Sequence, residues 1–467
     1  MAFALSILYL VTYYLTPVRL FGPLAAFHLE LILAVLVFFV SLPTFQRSFI
    51  LKTPQSLALI GLAFASFLSV VFGERWLGGG VRAVLDYLPN AFAYFLICLH
   101  CTSKKKLQVL ILMLQFVCLF AIVNGFFDLH HGIPESGPIV SQTTGRIDLV
   151  QWKADHPFLL PQKNDAGTWF YRLRGEGDIN DPNDFGQLLA LAVPLIFIFW
   201  RPQRTVRNFV FVLLPVAALL FGIFLTHSRG ALLSLMAMVV VAARRRIGTA
   251  PAMFVAVALF VAAMAMHFTG GREISADSGS DRTSLWGQGL EILRAHPLFG
   301  VGFGQMREYT DVHLTAHNSV VVCAAELGLF GFYFWCLFLF PTMRSALAVA
   351  SPVAVSEGVP IAQEIGRFPA MTRKVEAIDK AEINRLGRLL VLSLTGFLVA
   401  AWFLSRAYVL SFFLLGGITE VVFEMALQRG MIAPRMRFAR VALYAGGLAI
   451  SLMVMMYLML RILNLMH

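Results

Sequence analysis

Apolar runs long enough to cross a membrane recur along the whole chain, and short polar connections separate most of them. A run of about 20 apolar residues forms a spanning helix, because a helix satisfies its own backbone hydrogen bonds inside lipid. The pattern therefore predicts an all-α polytopic membrane protein with about 12 or 13 transmembrane helices. The candidate spans are 1–16, 24–42, 56–72, 81–99, 107–127, 185–200, 209–225, 231–243, 252–267, 319–340, 389–404, 408–425 and 441–460. The first has no basic start and no clear cleavage site, so we expect a retained span and not a signal peptide.

Three long polar segments interrupt this pattern and divide the chain. Both outer segments are expected to carry short helices, one of them amphipathic with Trp286 on its buried face. The predicted division is N-terminal transmembrane helices in 1–127, a first outer loop in 128–181, central transmembrane helices in 182–268, a second outer loop in 269–316, a transmembrane helix with a His-Asn motif in 317–341, a cytoplasmic loop in 342–388 and C-terminal transmembrane helices in 389–467.

The positive charges are placed asymmetrically along the chain, whose formal net charge is +11. They cluster in alternate connections, at Lys104–Lys106, Arg201–Arg207, Arg244–Arg246 and Arg429–Arg440. This is the positive-inside pattern that sets orientation during membrane insertion. It places the N-terminus and the 342–388 loop in the cytoplasm, and the 128–181 and 269–316 loops outside. The charge thus reports topology, and we expect membrane lipids and no nucleic acid as partners.

The five cysteines lie in or at the ends of the predicted spans. Cys98 and Cys101 form a CxxC pair, but a metal site would need a second ligand pair, and none is nearby. We therefore expect neither a disulfide framework nor a metal site, and no cofactor.

Two arginines lie on the outer side, where the positive-inside pattern does not place charge. Arg229, in the turn THSRG, either snorkels to lipid headgroups or binds a ligand. Arg282, in SDRTSLW, is either an exposed loop residue or lies at a helix start capped by Ser280 or Asp281. In the second case free backbone N–H groups and a guanidinium at one helix start predict an anion site, with a diphosphate as the ligand.

His317 and Asn318 open a late span from its outer end. A histidine at a helix end is often structural, but here the imidazole has two possible functions. It accepts a proton from a hydroxyl group, or it binds a phosphate oxygen. Glu326 follows nine residues later (326 − 317 = 9), about half a turn out of phase. We expect it to pack or hydrogen-bond deeper in the bundle, where Gly328 and Gly331 allow close helix contact.

The first outer loop ends in YRLRGEGDINDPNDFGQ, which crowds charged and amide residues before a span. Asp181-Pro182 is a helix start, with Asp as the cap and Pro at the first helical position. Five residues are expected to bind substrate, four of them in this segment and the fifth in the His-Asn motif; they are Arg172, Arg174, Asn183, Asp184 and Asn318. Three oxygen ligands on a flexible loop are weak evidence for a divalent ion.

Four motifs in the middle of the chain together resemble the O-antigen ligase and O-antigen polymerase superfamily of bacterial inner-membrane proteins. They are DPNDFG before a span, SRG at a span junction, DRTSLW followed by HPLFGVGFG, and HNSVVVCAAELGLFG opening a late span. The resemblance covers residues 174–331 and is specific only in combination. The loop at 128–181 does not match a ligase pattern.

The resemblance implies a GT-C-like fold and transfer of a glycan from undecaprenyl diphosphate at the periplasmic face, without a metal and with inversion of the anomeric carbon. Arg229 and Arg282 would bind and neutralise the diphosphate. His317 would orient or deprotonate the acceptor hydroxyl, or hold a phosphate. The expected partners are an undecaprenyl diphosphate-linked glycan donor and a lipid A core, glycan or protein acceptor. The expected process is lipopolysaccharide or other polysaccharide biosynthesis.

Three other interpretations remain open at this point. A polymerase uses the same donor but a lipid-linked glycan as acceptor, and the His-Asn helix favours the ligase. A transporter or lipid flippase predicts charges near the bilayer midplane and paired discontinuous helices, whereas these charges lie at one face. A structural scaffold gives no reason for Arg229, Arg282 and His317 to share that face.

Overall fold

The computed structural model describes residues 1–17, 28–46, 50–133, 138, 149–164, 166–266, 268–270, 276–351 and 380–465. The elements in chain order are α1 (Ala2–Leu15), α2 (Leu29–Gln46), α3 (Pro54–Gly73), α4 (Leu77–His100), α5 (Lys104–His131), α6 (Leu149–Asp155), β1 (Leu159–Lys163), β2 (Trp169–Leu173), α7 (Pro182–Ile196), α8 (Thr205–Thr226), α9 (Arg229–Ile247), α10 (Thr249–Ala265), α11 (Ala276–Ala295), α12 (Ser319–Ala350), α13 (Lys380–Ala401), α14 (Leu410–Leu427) and α15 (Phe438–Leu465). Short 3-10 turns lie at Ile50–Lys52, Gly177–Ile179, Phe197–Phe199 and Met306–Tyr309.

Each predicted span falls on one of these helices, and the all-α polytopic membrane fold is confirmed. Within the described ranges, 10 helices are long and apolar enough to cross a membrane. Of the other candidates, α1 and α10 are shorter apolar helices, and α9 ends in three arginines. Large apolar side chains point outward, with Phe254 74% and Leu443 72% exposed. Such surfaces suit a lipid environment.

The 128–181 loop, predicted to lie outside, holds a β-hairpin that the sequence analysis did not predict. β1 and β2 pair antiparallel, with Leu159 opposite Leu173 and Lys163 opposite Trp169. The hairpin follows α6, one of the two expected outer-loop helices, and the other is α11. The aromatic run WFYRL, preceded by the turn residues NDAGT, is the signal that could have revealed it.

The chain folds into two compact units, each built from separated segments. The first comprises Met1–Val40, Lys104–Glu273 and Leu392–Ala400, and the second comprises Ser41–Ser103, Ile274–Val391 and Ala401–His467. The linear division predicted from the sequence stays a prediction.

Helix α7 forms the core of the first unit and packs against α5, α8 and α9. Apolar residues on several of its faces are buried, including Phe185, Leu188 and Leu191. The 392–400 part of α13 belongs to this unit, because Ser393 Oγ donates to the Leu191 carbonyl at 2.9 Å.

Helix α12 forms the core of the second unit and packs against α3, α11, α14 and α15. Aromatic rings fill the space between α12 and α14; Phe338 lies edge-on to Phe412 and Phe413 with centroids 5.0 and 5.2 Å apart. Edge-to-face pairs of this kind add to the stabilisation that area burial provides.

A buried ion cluster fixes the end of α14 on the side that the charge pattern assigns to the cytoplasm. The Arg435 guanidinium contacts the carboxylates of Glu420 and Glu424, and Gln55 donates to Glu420 at 3.2 Å. Burial alone would lower the pKa of Arg435, but the two carboxylates raise it overall. The arginine therefore stays charged and holds the 428–437 connection against α14.

Candidate functional site

Helix α7 begins at the DPNDFG motif, and its start is built as the sequence predicted. Asp181 caps the helix, and its carboxylate accepts the Asn183 backbone N–H at 2.7 Å. Pro182 takes the first helical position, where its missing N–H costs nothing. Asn183 and Asp184 therefore lie in the first turn, and Asp184 is buried.

Arg172 joins three elements of the first unit. Its Nε donates to the Thr226 carbonyl at the end of α8 at 2.8 Å, and its Nη2 donates to Asn183 Oδ1 at 2.9 Å. Its Nη1 reaches Gln162 Oε1 on β1 at 3.4 Å. The side chain is only 5% exposed. The guanidinium thus fixes the hairpin to the ends of two membrane helices, and its role in substrate binding stays a prediction.

Arg174 is also buried and lies in the connection that leads into α7. Its Nη1 donates to the Asn180 carbonyl at 3.3 Å, and its Nη2 lies 3.6 Å from Glu176 Oε1. The charge is therefore balanced inside the loop, which is how a buried guanidinium is tolerated. Contact of Arg174 with substrate stays a prediction.

Arg229 is the first residue of α9, in a corner that packs against α7. Ser228 caps α9 and accepts the Ala231 N–H at 3.3 Å. A β-carbon on Gly186 would lie 2.9 Å from the Ser228 side chain and 3.0 Å from that of Ala231. The glycine of DPNDFG therefore allows the SRG corner to approach α7, so that two separate motifs form one structure. Arg229 itself is half-buried.

His227 precedes this corner in a left-handed conformation, with φ 50°. Its Nδ1 lies 2.7 Å from the Phe268 carbonyl oxygen, and its ring packs edge-on against Phe170 of β2. The sequence analysis did not single out His227. A non-glycine residue with positive φ at the end of a helix is uncommon and marks a corner that its surroundings define.

Arg282 lies on α11 in the second unit, but not at the helix start. The helix begins at Ala276, so Arg282 is its seventh residue and lies in the second turn. The predicted cap at Ser280 or Asp281 is wrong, because the small polar residues before Arg282 are already helical. Only the first four N–H groups of a helix lack partners, so an anion at Arg282 would not meet them. The Arg282 side chain is exposed.

The expected buried face of α11 connects Arg282 with the His-Asn motif. Trp286 is 6% exposed, and its indole N–H donates to the Ala316 carbonyl at 2.7 Å. Residues four apart share one face of a helix. Arg282 therefore lies one turn before the contact with Ala316, which directly precedes His317.

Asn318 caps α12, and His317 precedes the cap in a strained conformation. Asn318 Oδ1 accepts the N–H groups of Val320 and Val321 at 2.9 and 3.2 Å. His317 has φ 47°, in the left-handed region, and its side chain is half-buried. Its backbone N–H donates to Ser405 Oγ at 3.0 Å. The imidazole is thus presented at the start of a membrane helix by a backbone that its neighbours hold in place.

Helix α12 is interrupted at Gly328, where φ is 63° and ψ is −171°. The N–H groups of Val301 and Gly302 donate to the carbonyls of Ala325 and Glu326, at 3.1 and 3.0 Å. In the other direction, Leu329 N and Phe330 N donate to the Pro297 and Leu298 carbonyls at 2.9 and 3.1 Å. The HPLFGVGFG loop therefore replaces the helical hydrogen bonds lost at the break. Non-helical backbone at membrane depth requires such protein partners.

Glu326 lies beside this break and is 3% exposed. Its carboxylate accepts hydrogen bonds from the backbone N–H groups of Gly304 and Met306. Gly331 lies one turn after the break, and a β-carbon there would come within 3.1 Å of Ala65 on α3. Glu326 thus ties the glycine loop to α12, and Gly331 lets α3 approach α12 closely.

The described residues contain no cluster of three His, Cys, Asp or Glu side chains that could hold a metal ion. The structure instead gathers polar groups in each unit. The first unit brings Arg172 and Asn183 to the corner that Arg229 opens, and the second places Arg282 and Asn318 next to the segment that carries His317. The 402–409 connection that holds His317 was absent from the predicted site.

Comparison with known families gives one match within this region. Residues 214–336 match the family model described as O-antigen ligase. The matched segment contains Arg229, Arg282 and His317. No curated protein matches the chain.

Proposed function

Because residues 214–336 match the family model described as O-antigen ligase, we propose that the chain transfers a glycan from undecaprenyl diphosphate to an acceptor hydroxyl. The transfer takes place at the periplasmic face of a bacterial inner membrane, inverts the anomeric carbon and uses no metal. The observation that carries this proposal is the position of the candidate residues within the matched segment, at or near the ends of its helices. Polar and ionisable groups in a membrane bundle mark function more often than packing.

Helix alternation supports a common side for these residues. Helices α9 and α10 lie between the α8–α9 corner, which carries Arg229, and the start of α12. If both helices cross the membrane, the chain returns to the side on which α9 began. The positive-inside pattern puts Arg244–Arg246 at the opposite, cytoplasmic end of α9. Arg229, Arg282 and His317 are then all periplasmic.

Arg229 and Arg282 are proposed to bind the diphosphate of the donor. A guanidinium presents donors in a planar fork that matches phosphate oxygens, and it remains charged at any physiological pH. As the bond between the anomeric carbon and the diphosphate oxygen breaks, negative charge grows on that oxygen. Two fixed positive charges stabilise this state more than the ground state and so lower the barrier.

His317 is proposed to act on the acceptor or on the phosphate. In the first case its unprotonated nitrogen takes the proton of the acceptor hydroxyl while the oxygen attacks the anomeric carbon. The carbon–oxygen bond to the diphosphate breaks, and the diphosphate leaves with the electron pair. In the second case the imidazole donates to a phosphate oxygen and the proton goes to solvent. Both cases use the side chain of a residue whose backbone N–H is bonded to Ser405, directly before the Asn318 cap.

A polymerase remains the second candidate, because it uses the same donor and the same chemistry. It differs only in its acceptor, another lipid-linked glycan in place of a lipid A core. The β-hairpin of the first outer loop is fixed to the corner next to Arg229 through Arg172. We propose that this loop contributes to the choice of acceptor, because it is the part of the outer side that does not follow the ligase motifs.

The test is a transfer assay with the purified protein in lipid nanodiscs. The donor is the host's undecaprenyl diphosphate-linked glycan, with and without lipid A core, and product size is followed on a gel. Single-step transfer to the core, lost in His317→Ala and retained in His313→Ala, establishes a ligase. His313 is a matched control because it is exposed, lies four residues earlier and also has positive φ, 53°. Longer lipid-linked chains without core indicate a polymerase, and no turnover with either acceptor favours a transporter.

A further inference from the structure

The connection between α13 and α14, residues 402–409, is bonded to the His-Asn segment through Leu404, Ser405 and Arg406. Ser405 Oγ lies 2.6 Å from Thr315 Oγ1 and accepts the His317 N–H at 3.0 Å. Ser319 Oγ donates to the Leu404 carbonyl at 2.7 Å and accepts the Arg406 N–H at 2.9 Å. The 402–409 connection therefore has a defined position against the start of α12.

Trp335 extends this attachment, because its indole N–H donates to the Ala407 carbonyl at 2.9 Å. The backbone on both sides of Arg406 is thus held by hydrogen bonds. The backbone of Arg406 is consequently fixed at the N-terminus of α12, next to that of His317, although Arg406 lies 70 residues beyond the matched segment (406 − 336 = 70).

Arg406 adds a positively charged residue at the N-terminal end of α12. The N-terminus of a helix carries a partial positive charge, which repels a guanidinium and attracts an anion. His317 adds a second group at the same helix start that can carry positive charge. The helix dipole, Arg406 and His317 therefore all favour a negatively charged ligand at this point.

Asn318 provides an independent indication of a ligand. Its side chain is fully buried, and its Oδ1 is engaged with the N–H groups of Val320 and Val321. These bonds fix the orientation of the amide, because the oxygen has to face the helix. The Nδ2 group then lies on the other side and has no hydrogen-bond partner among the described residues. A buried donor without an acceptor is costly, and an acceptor oxygen from a ligand would satisfy it.

We propose that Arg406, together with Asn318 Nδ2, binds a phosphate oxygen of the donor's diphosphate. The assignment rests on the proposed function and extends it to a residue outside the matched segment. Arg406 supplies a charge-assisted hydrogen bond to the diphosphate, and the 402–409 connection becomes part of the donor site. Ser405 is a positioning residue that holds His317 beside the same ligand.

The test measures binding of undecaprenyl diphosphate, without a glycan, to the full chain in nanodiscs of zwitterionic lipid. Arg406→Gln and Arg406→Lys are compared with the wild type, and size-exclusion profile and thermal unfolding confirm that each variant is folded. We expect Kd to rise about tenfold or more for Arg406→Gln, because this variant loses a charge-assisted hydrogen bond to the diphosphate. Arg406→Lys keeps the charge but not the fork, so its Kd should rise less.

Arg307→Ala is the matched control, because Arg307 is 64% exposed and also lies in the second unit. It should bind undecaprenyl diphosphate like the wild type. In the transfer assay Arg406→Gln should raise the KM for the donor more than it lowers kcat.

Three outcomes overturn the assignment, and they are distinguishable. If both Arg406 variants bind undecaprenyl diphosphate like the wild type, Arg406 is not part of the site. The proposed function is still supported in that case if variants of Arg229 and Arg282 lose glycan transfer. If inorganic pyrophosphate or phosphatidylglycerol competes as well as undecaprenyl diphosphate, the site is a general anion or headgroup site. If the wild type neither binds undecaprenyl diphosphate nor turns over the donor, the proposed function fails and this assignment fails with it.

Discussion

Gly328 lies so close to Leu298 that a β-carbon on Gly328 would fall 2.4 Å from the Leu298 carbonyl. The loop also approaches α12 through a glycine of its own, since a β-carbon on Gly300 would fall 2.4 Å from the Glu326 carbonyl. Two glycines from distant motifs thus let the loop backbone enter the break in α12. The glycines of HPLFGVGFG and AELGLFG are required for the same contact.

Replacement of Gly328 by alanine should therefore destabilise the protein strongly. The new β-carbon meets backbone that cannot move aside, and φ 63° is unfavourable for alanine by about 1–2 kcal/mol before any clash is counted. We expect a clear fall in Tm of the detergent-solubilised protein. Gly287→Ala on α11 is the control, because no atom lies within 4 Å of its β-carbon position. That variant should be neutral or slightly more stable, and an equal Tm for both variants would contradict the packing described.

Glu326 should be needed for stability, since it accepts the N–H groups of Gly304 and Met306. Glu326→Ala leaves both buried donors without a partner, at a cost of about 1–3 kcal/mol each. Glu326→Gln keeps one oxygen acceptor and nearly the same volume, so it should lose less. Thermal unfolding of the two variants measures the difference. If Glu326→Gln is at least as damaging as Glu326→Ala, the carboxylate has a role beyond these two hydrogen bonds.

The sequence predicted the helices well because each span has to satisfy its own backbone in lipid, so hydropathy alone reveals it. Asp181 illustrates how local capping is also visible in sequence, since the cap side chain bonds to a residue only two positions away. Asn318 bonds just as locally, although the sequence analysis did not predict that it caps α12. The start of α11 was predicted too late, at Arg282, because its first turn consists of small polar residues with no apolar period.

Long-range contacts explain what the sequence did not predict. Ser405 is 88 residues from His317, and Arg172 is 54 residues from Thr226, so no local pattern links them. The break at Gly328 is hidden for a similar reason: its four replacement hydrogen bonds come from a loop more than twenty residues earlier (328 − 302 = 26). The sequence therefore points to the charged candidate residues, but not to the neutral side chains and backbone groups that hydrogen-bond to them.

Addition of EDTA should leave glycan transfer unchanged. In the proposed mechanism the charge of the diphosphate is neutralised by guanidinium groups, which need no metal. The transfer assay in nanodiscs is run before and after chelation and dialysis. A parallel sample with added Mg²⁺ controls for an effect of ionic strength on the charged donor. Loss of activity that a single divalent ion restores would show that a metal takes part in the reaction.

Arg282→Lys should lose most transfer activity although the protein still inserts and folds. Lysine keeps the charge but cannot form the bidentate fork to phosphate oxygens. Because Arg282 is exposed, we expect Tm to stay near that of the wild type. Arg294→Lys, also exposed and in the last turn of the same helix, is the control and should retain activity. Near-normal transfer by Arg282→Lys would remove Arg282 from the diphosphate site.

Substitution of His317 separates its backbone conformation from its side-chain chemistry. At φ 47° a glycine is relaxed and an alanine is strained, so His317→Gly should be more stable than His317→Ala by about 1 kcal/mol. Both variants lack the imidazole, and both should lose transfer if the ring takes a proton or binds a phosphate. Thermal unfolding and the transfer assay are measured on the same samples. If His317→Gly retains activity, the ring has no part in the chemistry, and the strained backbone at the start of α12 serves only to shape the corner. If activity is lost in both while only His317→Ala is destabilised, the loss belongs to the imidazole and not to the fold around it.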